Sequence, residues 1–273
     1  MTSIYIYTTA CLFAASEIAA IYNQCAVCLI ECSKTGSTTR SIKFMLRARI
    51  AIVECKICTI ADRYNGMTPV EYIASAGLFD VPCIAAHCVK VSAEDIRILR
   101  DAHVSVALNP RSNMKLGNGF APADQMMEAG INICLGTDSC ASNNTQNLFQ
   151  EMNAAALIYK GKARKARCVD AADVLRFATL GGAKALGMEG QLGVLEKGAL
   201  ADVILLDLRV PQFLPDNDIV SGLVYSANGS EVRTVIVNGQ VLMEHGRLLT
   251  IDEETVYREC ARITKRLGMK GNL

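Results

Sequence analysis

Two side chains suited to acid/base chemistry, Asp138 and His87, each follow a short apolar run of the sequence. Asp138 comes after Gly130-Ile-Asn-Ile-Cys-Leu135, and His87 ends the run Ile84-Ala-Ala-His87. Such runs are typical of buried strands, and side chains at the carboxyl ends of parallel strands point into one crevice. The sequence therefore predicts a carboxylate and an imidazole in one crevice, where they would be catalytic candidates.

Each of these residues also has an ordinary structural interpretation. Asp138, with Ser139 and Ser142, could be only the cap of a helix predicted over 147–160. His87 could be a core histidine whose polar atoms are satisfied within the protein. For each residue taken singly, the sequence leaves both the catalytic and the structural interpretation open.

Strands and helices alternate around the two candidates. Thr68 and Glu71 predict a capping box, Pro69 the first helical position, and Gly77 the end of that helix. Strand 83–86, helix 93–102, strand 104–108, helix 122–129 and strand 131–135 follow. This alternation is typical of the units of a (β/α) barrel.

The pattern changes in the last third of the chain. Helices are predicted over 147–160 and 171–186, and strands over 201–206, 232–237 and 241–244. Asn238-Gly239 between two of these strands predicts a type I′ hairpin. A final amphipathic helix is predicted, with Thr250 and Glu253 as its cap and Tyr257, Ile263 and Leu267 along it.

Further motifs occur in a fixed order from residue 68 to the C-terminal region. They are Thr68-Pro-Val-Glu-Tyr72, Ala85-Ala-His-Cys88, Asn109-Pro-Arg-Ser-Asn-Met-Lys-Leu116 with Gly119, Leu135-Gly-Thr-Asp138, Ala141-Ser-Asn-Asn144, Gly198-Ala-Leu-Ala-Asp202, and Leu223-Val-Tyr-Ser-Ala-Asn-Gly229 through Val237-Asn-Gly239. With this series the chain resembles the amidohydrolase superfamily, in the branch of methylthioadenosine/S-adenosylhomocysteine deaminases and related triazine chlorohydrolases.

The resemblance implies a metal-assisted hydrolysis that releases ammonia from an adenine-type ring of a small nucleoside substrate. A single divalent ion, zinc or iron, would bind water and lower its pKa. Asp138 would ligate that metal and take a proton from the water, and His87 would orient the hydroxide and stabilise charge.

The loop after the strand predicted over 104–108 carries a further group of candidates. In relatives this loop lines the substrate pocket, so the resemblance implies that Asn109, Ser112 and Asn113 contact substrate or brace the loop. The alternative is plain turn chemistry, because Asn, Pro and Ser all favour turns without any ligand.

The other metal ligands of the family have no counterpart in this sequence. The family holds its metal with a His-x-His pair and with the His of a His-x-x-Glu motif, besides the Asp. The chain contains only His87, His103 and His245, and the last two are predicted to be superficial. We therefore expect impaired chemistry, and the alternative is a non-catalytic remnant or a binding or oligomerisation partner of the same fold.

One glutamate could survive from the His-x-x-Glu motif. The chain reads Arg49-Ile-Ala-Ile-Val-Glu-Cys55 where that motif is expected. A slipped alignment places Glu54 on the glutamate that protonates the ring nitrogen, and Ala51 on the ligand histidine. Glu54 could equally be an ordinary polar residue at the end of a strand.

Residues 1–60 do not match the family and differ from the rest in composition. No Lys or Arg occurs before Lys34, and six of the twelve cysteines lie before residue 60. Cys25-Ala-Val-Cys28 and Cys55-Lys-Ile-Cys58 could form a zinc-ribbon-like site, although the gap between them is long and their surroundings are apolar. The preferred hypothesis is a non-native leader fused to an enzyme truncated at its N-terminus.

Charge and composition limit the partners and the compartment. A net charge of +1 and a pI near 7.4 argue against a nucleic-acid surface. The stretch 4–30 lacks a basic start and contains Glu17, which disfavours both a signal peptide and a membrane helix. Twelve cysteines without a secretory signal indicate reduced thiols in a cytoplasmic protein, and the resemblance implies a homo-oligomer as an open expectation.

The predicted fold class is α/β. It combines a partial TIM-type (β/α) barrel, made of the closing strands, with the C-terminal part of a small β-sandwich composite domain. The predicted boundaries are 1–60 for the atypical leader, 61–192 for the barrel segment, 193–250 for the composite segment and 251–273 for the C-terminal helix.

Overall fold

The computed structural model describes residues 66–215 and 217–268, together with the backbone of three earlier strands. The strands are β1 (Ser3–Ile6), β2 (Lys43–Met45), β3 (Ile50–Glu54), β4 (Cys83–Ala86), β5 (Ser105–Leu108), β6 (Ile133–Leu135), β7 (Val203–Asp207), β8 (Val232–Val237), β9 (Gln240–Glu244) and β10 (Arg247–Leu248). The helices are α1 (Pro69–Ser75), α2 (Ala93–Asp101), α3 (Pro110–Lys115), α4 (Ala123–Glu128), α5 (Leu148–Ala163), α6 (Ala171–Arg176), α7 (Gly182–Ala185), α8 (Ile219–Tyr225) and α9 (Glu253–Arg266), with a π-helical segment at Phe177–Gly181 and a 3₁₀ turn at Pro211–Phe213.

The first sheet contains β2 to β6 in sequence order. Its strands β3, β4, β5 and β6 are parallel, and helices lie in the connections between them. Strand β2 runs antiparallel to β3 at the edge. Because the four parallel strands point the same way, their carboxyl ends lie along one edge of the sheet.

The second sheet is antiparallel and has the order β1-β7-β8-β9-β10. Asn238 and Gly239 connect β8 to β9 with φ values of 48° and 77°. Two consecutive positive φ angles are the requirement of a type I′ turn, so the Asn-Gly hairpin is confirmed.

One hydrophobic cluster connects the two sheets. It includes Ala85, Val106 and Leu135 of the parallel sheet and Ile204 and Leu206 of β7. Residues with the opposite orientation in the parallel sheet, such as Ile84 and Cys134, form a separate small cluster with α7. The alternation follows from the two-residue period of a strand.

The start of α1 is tied to the start of α2. The Thr68 hydroxyl accepts from the Glu71 backbone N–H at 3.1 Å, and the Glu71 carboxylate accepts from the Thr68 N–H at 2.6 Å. This is the predicted capping box. The same hydroxyl donates to the buried Asp95 carboxylate. Asp95 also forms a capping box with Ser92, the residue that caps the start of α2.

Three details of the sequence-based prediction are wrong. The Asn109 segment was predicted as a loop, but Pro110 begins the short helix α3, since proline is well suited to a first helical turn. The final helix is preceded by Asp252, not capped by Thr250. The helix predicted over 171–186 is interrupted by the π-helical segment Phe177–Gly181.

The predicted leader, residues 1–60, contributes β1 to the antiparallel sheet and β2 and β3 to the parallel sheet. The cysteines of the hypothetical zinc ribbon, Cys25, Cys28, Cys55 and Cys58, lie outside the described residues. No helix in the described part of the chain is long and apolar enough to cross a membrane.

Candidate active site at the carboxyl ends of the parallel strands

His87 follows the last residue of β4 and is 1% exposed. Its backbone N–H donates to the Ala107 carbonyl of the neighbouring strand β5 at 2.9 Å. Its φ angle is 70°, in the left-handed region that a residue with a Cβ seldom adopts. Such a conformation costs about 1–3 kcal/mol, and strained residues of this kind cluster at functional sites.

Asp138 lies just beyond the end of β6 and also has a left-handed backbone, with φ at 60°. Its Oδ2 accepts from the Ser112 hydroxyl at 2.5 Å, and its Oδ1 accepts from the Ser139 N–H at 2.8 Å. The cap of α5 is Asn147, whose side chain accepts from the Gln150 N–H. The interpretation of Asp138 as that helix cap is therefore excluded.

The two candidates face each other. His87 Nε2 lies 3.7 Å from Asp138 Oδ2, within ion-pair distance but beyond a direct hydrogen bond. On the other side of the ring, His87 Nδ1 lies 2.8 Å from Asn113 Oδ1, a distance typical of a hydrogen bond. With the amide in this orientation Nδ1 carries the proton and donates it to Asn113, which directs Nε2 toward the carboxylate.

The three candidates of the Asn109 segment are all buried and touch the same pair. Asn109, Ser112 and Asn113 are 4%, 0% and 2% exposed. Ser112 donates to Asp138, and Asn113 accepts from His87. Asn109 Nδ2 lies 3.4 Å from His87 Nδ1 and donates to the Ala107 carbonyl, because a protonated Nδ1 cannot accept from it. These contacts are those of braces, and contact with substrate stays a prediction.

Gly136 makes room for one of these braces. A Cβ at Gly136 would lie 2.5 Å from Asn109 Oδ1, closer than side-chain carbons approach an oxygen. The Gly136 N–H donates to the Leu108 carbonyl at 2.9 Å. A side chain at this position would displace the Asn109 amide that lies beside His87, so glycine keeps that amide in place.

Glu54 is the last residue of β3. In the parallel pairing of β3 with β4 it stands opposite Ala86, immediately before His87. Its backbone therefore lies at the same edge of the sheet as the other candidates. Its role as an acid stays a prediction.

Glu151, on α5, is a functional candidate that sequence reasoning missed. It is fully buried, and its Oε1 accepts from Asn143 Nδ2 at 2.5 Å. Its Oε2 accepts from the Arg111 backbone N–H at 3.2 Å. Asn143 Nδ2 also donates to the Thr137 carbonyl at 2.8 Å, so Glu151 connects the Asp138 loop to α3.

Burial raises the pKa of the Glu151 carboxyl to about 7. The hydrogen bonds from Arg111 and Asn143 and the positive charge of Arg111 oppose that shift, while the negative charge of Asp138 adds to it. The Arg111 guanidinium is only loosely engaged, because its Nε is 3.9 Å from Glu151 Oε1 and has no hydrogen-bond partner among the described residues.

The sequence did contain a signal for Glu151. It lies on the same side of α5 as the buried Ala155 and Tyr159, at helical spacing. A carboxylate within an apolar helical stripe is costly unless it has hydrogen-bond donors, which makes such a residue a candidate for a structural or chemical role.

The described residues do not fit the metal that the resemblance implies. Among them, no group of three or more His, Cys, Asp and Glu side chains could hold an ion. His103 and His245 are exposed, as predicted. By the resemblance Asp138 alone would be a ligand and His87 would orient the hydroxide, whereas a catalytic zinc usually needs three protein ligands.

Residues 49–242 match the model of the amidohydrolase family, and the chain belongs to this family. The match begins inside the segment that was predicted to be unrelated. The chain is 48% identical to a 5-methylthioadenosine/S-adenosylhomocysteine deaminase of Acetivibrio thermocellus, over 78% of its own length and 49% of the relative. It is 42% identical to a 5'-deoxyadenosine deaminase of Methanosarcina mazei, over 83% of its length and 52% of the relative.

Solved structures show the same likeness. An adenosine deaminase from Xanthomonas campestris with bound zinc aligns with a TM-score of 0.75 and 33% identity, covering 79% of this chain and 50% of that one. An atrazine chlorohydrolase from Arthrobacter aurescens complexed with zinc aligns with a TM-score of 0.72 and 30% identity, over 78% of this chain and 48% of that one. The chain thus spans about half the length of the relatives it matches.

Proposed function

We propose that this chain carries the acid and imidazole half of a hydrolytic deaminase site for adenine-type nucleosides. The observation that carries the proposal is the 3.7 Å separation of His87 Nε2 and Asp138 Oδ2 at the carboxyl edge of the parallel strands. The names of the relatives support the substrate class, because they are deaminases of methylthioadenosine, S-adenosylhomocysteine and 5'-deoxyadenosine.

The proposed roles follow from the hydrogen bonds of the pair. A water molecule beside both groups would give a proton to Asp138 as it attacks the ring carbon that bears the amino group. The Asn113 amide fixes the imidazole so that Nε2 faces the developing negative charge, which a protonated His87 offsets. The proton taken by Asp138 then passes to the amino group, which leaves as ammonia, and the attacking oxygen stays on the ring as a carbonyl while its remaining proton goes to the ring nitrogen.

The assignment of the two sheets to parts of a larger fold is also a proposal. We infer that β3 to β6 are the closing strands of a (β/α) barrel and that the antiparallel sheet is part of a composite β domain. The parallel order with helical crossovers and the likeness to solved amidohydrolase-type enzymes support this inference.

We further propose that a polypeptide of this sequence is impaired in the reaction. A single protein ligand, Asp138, holds a divalent ion weakly, and the whole sequence supplies no His-x-His pair. Without a tightly held ion the attacking water keeps a pKa far above neutrality, which lowers the rate by orders of magnitude.

Metal analysis combined with an ammonia-release assay tests the proposal. The full chain, prepared with zinc present, is compared with the Acetivibrio relative on methylthioadenosine and S-adenosylhomocysteine. We expect substoichiometric zinc and a kcat/KM at least about a thousandfold lower, which corresponds to a loss of about 4 kcal/mol.

The variant Asp138→Asn is the matched control, because it keeps the shape of the side chain and removes its basicity. Residual turnover that survives unchanged in this variant would argue against the site. Stoichiometric zinc with full turnover would refute the impairment. If the wild type and Asp138→Asn both bind nucleoside without turnover, the chain behaves as a non-catalytic remnant.

A further inference from the structure

The C-terminal helix α9 has an apolar stripe that nothing in the described structure covers. None of its 14 residues is buried. Val256, Ile263 and Leu267 are 45%, 39% and 64% exposed, and Cys260 between them is exposed as well. An amphipathic helix normally buries such a stripe against another element.

The spacing of the stripe is that of a helix pair. Val256, Cys260, Ile263 and Leu267 follow one another at intervals of four, three and four residues. This alternation is the a/d pattern of a coiled coil, with Cys260 and Leu267 at a and Val256 and Ile263 at d. The stripe therefore fits the flank of a second helix of the same kind.

The two ends of α9 carry opposite charges, and Arg258, Glu259 and Arg262 lie between them. Glu253 and Glu254 lie in the first turn, and Lys265 and Arg266 in the last turn. In the same heptad frame, Glu259 and Arg266 occupy the g positions that flank the stripe. One helix thus carries both the acidic and the basic member of a complementary pair.

We propose that α9 associates with α9 of a second copy of this chain as an antiparallel, two-fold symmetric pair. When Val256 faces Leu267 of the other copy and Cys260 faces its Ile263, Glu259 lies next to Arg266 of the other copy. The two-fold axis repeats this ion pair, so each contact is made twice. Antiparallel packing also sets opposite ends of the helix dipoles beside each other.

A parallel pair would lack this charge match. In a parallel coiled coil the g position of one helix meets the e position of the other. The e positions here are Tyr257 and Thr264, which carry no charge at neutral pH. The exposed Glu259 already pairs with Arg262 within its own helix at 2.8 Å, and the partner's Arg266 would add to that pair.

The proposed contact between the two α9 helices is small, so the dimer should be weak. A helix of 14 residues is about 21 Å long, enough for two heptads only. The exposed Leu249 and Ile251 extend the apolar surface ahead of α9. An interface below the standard size gives a weak, reversible dimer, so association should depend on protein concentration.

Sedimentation velocity on the full chain tests the proposal over a range from about 1 to about 300 µM, which brackets the affinity of small interfaces. We expect a monomer–dimer equilibrium in the wild type. Ile263→Asp should abolish it. Glu259→Arg or Arg266→Glu alone should each raise the dimer dissociation constant about tenfold, because each places like charges side by side twice.

The double variant Glu259→Arg/Arg266→Glu restores opposite charges and should return the dissociation constant to within about threefold of the wild type. Lys265→Glu is the matched control, since it makes the same charge change one residue away, at the f position outside the stripe. Circular dichroism confirms that each variant keeps its helix.

Three outcomes would overturn the proposal. They are a wild type that stays monomeric at every concentration, a dimer that Ile263→Asp leaves intact, and a double variant that associates no better than the single ones. The last outcome would show that Glu259 and Arg266 do not meet across the contact.

Discussion

His87 and Asp138 share a backbone conformation that their sequence motifs do not reveal. Both lie in the left-handed region, directly after strands that are separated by β5 in the sheet. With the backbone in this conformation, His87 Nε2 and Asp138 Oδ2 lie 3.7 Å apart. The strain, about 1–3 kcal/mol at each residue, is offset by Asn113 and Ser112, which hold the two side chains in place.

Glu151 makes the stability of the folded protein depend on pH. Its folded-state pKa of about 7 lies above the ordinary value of 4.5, so the folded protein binds this proton more tightly than the unfolded chain. The corresponding stability is present below pH 4.5 and is lost as the pH rises through about 7. We expect the free energy of unfolding to fall by roughly 3 kcal/mol at most over that window, at about 1.4 kcal/mol per pKa unit.

Urea unfolding of the wild type and of Glu151→Gln between pH 4.5 and 8 measures this effect. Glutamine keeps the size of the side chain and removes the titration, so other groups cancel in the difference between the two proteins. A difference that does not change with pH would contradict the raised pKa.

The parallel strands β3 to β6 position the site residues, and the π-helical segment that packs against β6 stabilises the last of these strands. The π-helical segment Phe177–Gly181 packs against β6, and a Cβ at Gly181 would lie 2.0 Å from the Ile133 carbonyl oxygen. Asn132 Nδ2 donates to the Gly181 carbonyl at 3.0 Å and to Ser105 Oγ at 2.9 Å. This contact joins the π segment to the starts of β5 and β6.

Gly181→Ala should therefore destabilise the protein by about 3 kcal/mol or more, because the clash is with backbone that cannot rotate away. Gly161→Ala in α5 is the matched control. Nothing lies within 4 Å of a Cβ there, and alanine favours a helix by up to about 1 kcal/mol. Chemical unfolding of both variants measures the difference, and equal stabilities would refute the close packing.

At the scale of the whole molecule, one core holds both sheets. Leu223 of α8 is 2% exposed and belongs to the cluster that contains Leu135 of β6 and Ile204 of β7. The two sheets are therefore expected to unfold together, in a single cooperative transition.

Leu223→Ala should lower the free energy of unfolding by about 2–5 kcal/mol, the usual cost of a cavity in a packed core. Leu157→Ala is the control, because Leu157 is 54% exposed on α5 and its loss should cost less than about 0.5 kcal/mol. Thermal unfolding followed by far-ultraviolet circular dichroism measures both. Two separate transitions would show that the sheets are independent.

Local signals were enough for much of this architecture. The Thr68 capping box, the Asn238-Gly239 hairpin and the alternation of strands with helices from residue 83 to 135 all depend on neighbours in the sequence. The prediction that His87 and Asp138 share a crevice needed only the parallel order of their strands, and the structure brings the two side chains together.

The details that the sequence did not determine come from distant contacts. The π-helical turn forms where the helix meets β6, although the local pattern favours a continuous helix. Glu151 approaches the site because α5 packs beneath the Asp138 loop, and no short-range pattern specifies which helix covers a loop. Amino-acid order thus determined the elements and their chemistry, because propensity and periodicity are local. Tertiary packing decided the bracing of the pair and the raised pKa of Glu151, because burial and long-range hydrogen bonds exist only once the elements are assembled.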